Sequence, residues 1–370
     1  MKDNKISRTQ LMVLLWAGVM APAAELLPGL LLPGVGRGAW LAVLLAAPLV
    51  LGAGWLMGSL AGREGLARRI TGLLGKWLGG GVLLLYIVWA LLLLSLRLRL
   101  CAQRLFASGE RDGSLWFFLL AVTALLMWVG RGKLDAFARA GQLFLAALLM
   151  TAGVVLGLSL IQSKAERLFP LWWGDMRPVV RAVLSSAGVM GWGMFLPFLM
   201  GDVRDQGENR HGHWLFWGLG GALLLSAAQA VIVGNLGAGL AARLDNPFFA
   251  LAKSVGVEGA FQRVESVVTA LWTFADLVMG GVLIFALRAM AGQILPERAW
   301  PWVPWGAVLL AAAGAAGLFP ALGTAEVWNR HVVPMGNLIL GFLVPLTLFL
   351  IEGIRQRMGN HGLFRGKRTS

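Results

Sequence analysis

Ala21-Pro22-Ala23-Ala24-Glu25-Leu26-Leu27-Pro28 sits in the middle of the first apolar segment, residues 11–32, and its reading decides the fold. The segment is long enough to cross a hydrocarbon core ~30 Å thick. Each proline removes a backbone donor and clashes with the preceding turn. An unpaired backbone group in hydrocarbon costs several kcal/mol, so irregular backbone at that depth must face protein or a water-lined cavity. A second apolar segment is interrupted in a comparable way, Gly188-Val189-Met190-Gly191-Trp192-Gly193-Met194-Phe195-Leu196-Pro197. Two interrupted segments in matching positions of two halves point to a binding site near the bilayer midplane. The expectation is therefore exposed backbone at Ala21–Ala23 and at Gly188–Gly193, with glycines allowing close approach. A pair of proline-kinked helices packing tightly is the alternative reading.

Outward from these two segments the chain is apolar throughout. Of its 370 residues 58% are hydrophobic and 14% charged, against about 25% charged in ordinary soluble domains. The spans expected from hydropathy are 11–32, 39–60, 78–98, 115–130, 138–161, 179–200, 214–236, 264–290, 302–318 and 333–354. That is an all-α, polytopic membrane protein of about ten transmembrane helices, a single transmembrane domain over 1–370. The first repeat covers about 11–161 and the second about 179–354, followed by a short basic tail, 355–370. Fifty glycines favour close helix approach, because small-residue packing replaces the missing hydrophobic drive in lipid, although GC-rich codon usage also raises glycine.

The net charge of +14 fits short basic loops facing the cytoplasm and anionic lipid better than it fits nucleic acid. Placing the N-terminus inside puts most lysines and arginines on the cytoplasmic side, so both termini are expected there. Residues 1–10 are short and basic, with no small-residue cleavage site after a compact apolar core, so no cleaved signal is read. Trp172, Trp173, Trp300, Trp302 and Trp305 lie near span ends, as interfacial aromatics do. The longest external stretches, 162–177 and 237–263, are expected to form short helices or lids.

Glu25 is the most informative ionisable residue, since an intramembrane carboxylate marks a functional site by default. It is read as a proton-coupling group, as a contact for an ammonium group, or as a residue reaching water at the outer end of its span. Asp276, about three turns into the eighth span and following Thr269, Trp272 and Thr273, is a second candidate for coupling; pairing with a polar neighbour is its plainer reading. Arg97, Arg99 and Arg104 fall at the outer end of the third span, where they either snorkel to the interface or, for Arg97, turn inward to an acid. Glu326 is read as solvated in a short loop. His211 and His213 lack a third ligand, so no metal site is expected. The single Cys101 excludes an intramolecular disulfide and a cysteine metal cluster. No phosphate loop, nucleophile elbow or dinucleotide fingerprint occurs in a suitable context, so no cofactor and no enzyme are expected.

Four stretches carry a resemblance to a known family. They are Lys5-Ile6-Ser7-Arg8-Thr9-Gln10-Leu11 with Leu26-Leu27-Pro28 and Ala39-Trp40-Leu41; Gly132-Lys133-Leu134-Asp135-Ala136-Phe137-Ala138-Arg139; Met176-Arg177-Pro178-Val179-Val180 leading into Met194-Phe195-Leu196-Pro197; and Phe261-Gln262-Arg263-Val264-Glu265-Ser266 before Trp272. In this order they resemble the B-subunit family of spore germination receptors, an integral membrane subunit related to amino acid–polyamine transporters. The resemblance implies a LeuT-type fold of ten helices in a 5+5 inverted repeat. It implies the spore inner membrane, and as partners an A subunit, a lipoprotein C subunit and a small germinant, usually an amino acid, with no nucleic acid. The implied activity is germinant binding between helices 1 and 6, which helps trigger ion and solute release. A proton-coupled amino-acid or cation transporter of the same fold is the rival reading, and a scaffold subunit without ligand a third.

The ligand site expected on this basis comprises Met20, Ala21, Pro22, Ala23 and Glu25, then Tyr86, Met190, Gly191, Trp192 and Gly193, with Thr269 and Thr273. Met20, Met190, Trp192 and Tyr86 would shape its apolar side, and a buried Tyr86 hydroxyl would need a partner. The chain departs from the family at four points. Ala21-Pro22-Ala23 replaces a glycine-rich turn, Gly191 replaces an acid, Val264 replaces an aromatic, and Glu25 stands where an apolar residue is common.

Overall fold

The structure, a computed structural model, describes residues 5–108, 114–204, 210–254 and 264–365. The stretch Phe261-Gln262-Arg263 lies outside the described residues, as do the side chains of Val264, Glu265, Ser266, His211, His213 and Trp173.

Helix α1, Arg8–Val35, opens with a capping box: the Ser7 hydroxyl accepts from the Gln10 amide (3.1 Å) and the Gln10 side chain accepts from the Ser7 amide (2.9 Å). It then runs helically through Pro22, Pro28 and Pro33. The expected break at Ala21–Ala23 is therefore corrected. Each proline costs one helical hydrogen bond, but almost every residue from Leu11 to Ala24 is buried among neighbouring helices. Tertiary packing holds the helix where its own hydrogen bonding is weakened. Gly18 shows how close this packing is, because a Cβ there would meet Met279 of α10 (Val264–Ala291) at 3.2 Å.

A 3₁₀ turn, Gly36–Gly38, leads into α2, Ala39–Ala61. Helix α3, Leu66–Ser108, is kinked at Gly75, whose φ of 78° only glycine adopts readily. It ends well beyond the expected limit at residue 98, so Arg97, Arg99 and Arg104 lie inside a helix rather than at its mouth. Helices α4 (Leu115–Arg131) and α5 (Leu134–Gln162) complete the first half.

The second half begins with α6, Trp173–Met190, which tightens at Gly191 into a 3₁₀ helix, Gly191–Asp202. Here the expected interruption is present as a change of winding. Runs of 3₁₀ helix longer than three or four residues are uncommon, and this one carries Pro197 in its interior. Helix α7, Arg210–Leu236, is followed by two short helices, α8 (Ala238–Ala241) and α9 (Pro247–Ser254), in the stretch expected to hold lids. After α10 comes α11, Val303–Gly317.

The last span is made of α12 (Leu322–Val327), α13 (Val333–Leu338) and α14 (Val344–Arg365), joined by π turns at Trp328–Val332 and Ile339–Leu343. Each π turn directly precedes a Val-Pro pair, Val333-Pro334 and Val344-Pro345. A proline has no N–H for the carbonyl four residues back and clashes with it, so the helix widens ahead of the ring. Glu326 is corrected accordingly: it is exposed, but on α12 and not in a loop.

Among the described residues, eight helical stretches are long and apolar enough to cross a membrane. The first of them, Arg8–Ala61, contains both α1 and α2, and Leu115–Arg131 is a shorter apolar helix. With that division they correspond to the ten expected spans. Helix α1 lies at the centre, packed on α5, α6, α7 and α10, while α3 packs on α4, α10 and α11. The N-terminal segment is tied down by an isolated parallel bridge: the Ile6 amide donates to the Asp202 carbonyl (2.9 Å) and its carbonyl accepts from the Arg204 amide (2.7 Å).

Candidate functional site

On α3, Arg97 and Arg104 are seven residues apart and so share a face two turns long. That face meets α10, and both guanidinium groups pair with Asp276: Arg97 at 3.6 Å and Arg104 in close contact. Arg104 also holds Glu25 of α1 at 2.7 Å. Two cations and two anions thus form one neutral network tying α1, α3 and α10. Neutrality matters, because an uncompensated charge in a low-dielectric interior is expensive. The network is graded in depth. The Arg97 and Asp276 side chains are 3% and 2% exposed, Arg104 16% and Glu25 32%. At its deep end the Arg97 guanidinium lies over the Trp192 ring, 4.3 Å from the centroid, a cation–π contact that reaches the 3₁₀ segment following α6. Arg99 is also buried and donates to the Pro320 carbonyl at 2.8 Å. These arginines do not snorkel.

The outer end of the network forms the floor of an open vestibule of about 730 Å³ between α1, α3, α9, α10 and α12. Its polar lining includes Glu25, Gln103, Arg104, Asn246, Thr269 and Thr273. Asn246 caps α9 by accepting from the Phe249 amide at 3.0 Å, and the Thr273 hydroxyl donates to the Thr269 carbonyl at 3.0 Å.

The expected ligand residues do not converge on this space. Glu25, Thr269 and Thr273 line it. Met20 and Ala21 line a smaller gap of about 40 Å³ between α1, α5, α7, α9 and α10. Met190, Gly191 and Gly193 face a third, apolar crevice of about 130 Å³ between α1, α2, α6, α7 and α13. Pro22, Ala23, Trp192 and Tyr86 are buried and line none of the three.

Tyr86 has a structural partner instead. In the second π turn the Val344 amide bonds to Ile339 and Pro345 has no N–H, so the Leu340 carbonyl has lost its helical donors. The Tyr86 hydroxyl donates to it at 2.5 Å. Asn337 plays a similar part at α6. Tightening from α to 3₁₀ winding shifts each donor by one carbonyl, and the Asn337 amide donates to the Gly188 carbonyl at 3.0 Å while accepting from Trp89 at 3.1 Å. Glycines 188 and 191 allow this approach. A Cβ on Gly188 would run into the Pro334 carbonyl, and one on Gly191 would sit 2.9 Å from the Asn337 Cβ.

Sequence reasoning considered Arg97 only as one option and missed Arg104, Gln103 and Asn337 as site or framework residues. The signal available was the seven-residue spacing of Arg97 and Arg104 beside two intramembrane acids. Among the described residues no three His, Cys, Asp or Glu side chains gather in a geometry for a metal.

Comparison with solved structures finds a similar architecture in MhsT in complex with L-phenylalanine, with a TM-score of 0.66, 14% sequence identity, and coverage of 95% of this chain and 99% of that one. The bundle therefore has the LeuT-type fold expected from the sequence, with about ten transmembrane helices in a 5+5 arrangement. A comparison with curated protein sequences finds no match. The profile of the family described as spore germination protein, a spore permease family, matches residues 5–311. The chain belongs to the spore germination protein family.

Proposed function

We propose that this chain is the membrane subunit of a spore germinant receptor and that it binds a small germinant carrying both charges, an amino acid, in the vestibule. The observation that carries the reading is the partly exposed Glu25–Arg104 pair at the vestibule floor, backed by the sealed Arg97–Asp276 pair. Because α1 is helical through Ala21–Ala23, its N–H groups are used internally, and the side chains of Glu25 and Arg104 supply the charged contacts. A ligand carboxylate replaces Glu25 on Arg104, and the ligand ammonium pairs with the released Glu25, so no charge is left uncompensated. Both acids stand in ion pairs with arginine, which favours a receptor over a proton-coupled transporter that needs a carboxylate free to protonate. On this reading the halves at about 11–161 and 179–354 are inverted repeats, both termini face the spore core, the membrane is the spore inner membrane, and an A subunit and a lipoprotein C subunit complete the receptor.

The test is ligand-dependent thermal stabilisation of the purified chain in nanodiscs, across the free amino acids. At least one amino acid should stabilise the wild type, and Arg104→Gln should weaken its binding about 10- to 100-fold, the worth of a charged hydrogen bond. Robust accumulation of the same amino acid in proteoliposomes, driven by a proton gradient, would instead establish the transporter reading.

A further inference from the structure

The crevice of about 130 Å³ between α1, α2, α6, α7 and α13 takes no part in the proposed ligand site. Each helix that walls it belongs to a stretch long and apolar enough to cross a membrane. Its wall is aliphatic and aromatic apart from Asn337, whose amide is already spent on the Gly188 carbonyl and the Trp89 indole. On α6 the lining starts at Leu184, which is 56% exposed, and runs through Ala187 to Gly191 and Met194, where α winding tightens to 3₁₀. The crevice therefore opens on the outside of the bundle, among spanning helices, where the surrounding medium is hydrocarbon.

Above this mouth α6 carries charge. Arg177, Arg181, Leu184 and Gly191 follow one another at helical spacing and share one face. Both arginines are exposed, and neither forms an ion pair among the described residues. Arg37 stands at the same end, since a Cβ on the adjacent Gly38 would meet Val179 of α6 at 2.7 Å. It donates to the Phe169 and Pro170 carbonyls, 3.4 Å each, and to no carboxylate among the described residues. Between the arginines and the mouth the surface is apolar, with Val180 and Leu45 of α2 exposed. The ten residues from Arg181 to Gly191 make about 15 Å of helix at 1.5 Å per residue, half of a hydrocarbon core ~30 Å thick.

We propose that this crevice is a lipid site: the phosphate of an anionic phospholipid sits on Arg177 and Arg181, and one acyl chain runs past Leu184 into the crevice as far as the winding junction at Gly191. A lipid fits better than a soluble apolar molecule or a protein segment, because charge and apolar wall follow one another along one face at the depth of a single leaflet. Guanidinium groups supply the charge-assisted hydrogen bonds that a phosphate takes. The chain packs between α6 and α13 against the junction that Asn337 braces, so the composition of the bilayer bears on the helix that changes its winding.

The experiment places the full chain in phosphatidylcholine nanodiscs holding a trace of phosphatidylglycerol or phosphatidylcholine with a photoreactive diazirine at the end of one acyl chain. Labelled peptides are then identified by mass spectrometry. The phosphatidylglycerol probe should label residues 184–194 about tenfold or more above the phosphatidylcholine probe. Both should label α11 equally, where Leu309 and Leu310 are exposed. Arg177→Gln and Arg181→Gln should each cut the preference about 5-fold, the worth of one basic residue beside anionic lipid. Leu184→Trp crowds the exposed mouth without touching the core, and should reduce labelling at residues 191–194 while leaving α11 unchanged. Equal labelling of the crevice by the two probes, a preference that survives both arginine variants, an unchanged pattern in Leu184→Trp, or cross-linking of this face to a second copy of the chain in place of lipid would overturn the proposal.

Discussion

Arg97 of α3 and Trp192 of the 3₁₀ segment are stacked face to cation at 4.3 Å, and the same arginine pairs with Asp276 of α10. One buried side chain therefore joins three helices and couples the change of winding after α6 to the floor of the vestibule.

Removing that arginine should expose the cost of unbalanced charge. Arg97→Leu leaves the network one cation short and should destabilise the protein by about 3–5 kcal/mol, as breaking a buried pair does. Arg97→Leu with Asp276→Leu restores neutrality, because Glu25 and Arg104 still pair, and should recover most of the loss. Thermal unfolding of the two variants checks this. A double variant no more stable than the single one would show that packing, not charge balance, governs the site.

The Tyr86 hydroxyl serves a carbonyl that proline chemistry has stranded. Tyr86→Phe should cost about 1–3 kcal/mol, the penalty for an unsatisfied buried acceptor. Pro345→Ala returns an N–H to the helix ahead of Leu340, so the same Tyr86→Phe change made in that background should cost less. Equal losses in the two backgrounds would argue against this account of the π turn.

Glycine positions should divide sharply by what surrounds them. Gly188→Ala drives a methyl into the Pro334 backbone, which cannot give way as a side chain would, and should destabilise by about 1–3 kcal/mol. Gly153→Ala in α5 meets nothing within 4 Å and should be neutral or slightly stabilising. Unfolding midpoints of the two variants decide the point.

Thiol chemistry can map the vestibule against a silent background. Cys101 is 1% exposed and should not react with a membrane-impermeant maleimide in the folded chain. A Thr273→Cys variant should be labelled, and labelling should slow when a stabilising amino acid is present. Rapid labelling of the native protein would contradict the burial of Cys101.

Much of the fold was legible because hydropathy is a local quantity. Ten apolar runs of spanning length can be found one at a time, and the glycines at 188 and 191 advertised a close approach. The misreadings arose where the deciding partner lies far along the chain. Pro22 weakens its own helix by a known amount, but what keeps α1 helical is packing on α5, α7 and α10, which no window around residue 22 contains. Arg104 looked like the edge of a span because charge is expected at an interface. Its actual partners, Glu25 and Asp276, lie 79 and 172 residues away. Tyr86 was expected to need a partner, yet a free carbonyl at Leu340 follows only from how a π turn and Pro345 divide the donors.

The unbroken course of α1 has a mechanical meaning. At about 1.5 Å per residue, its 28 residues run about 42 Å along the helical path, with Glu25 partway along and the Ser7 cap at one end. Immediately before that cap, Ile6 is clamped by backbone hydrogen bonds to Asp202 and Arg204. A helix in two pieces can open one half while the other stays still. A helix in one piece carries a displacement along its length, so a tilt imposed at Glu25 is felt at the clamp beside Ser7.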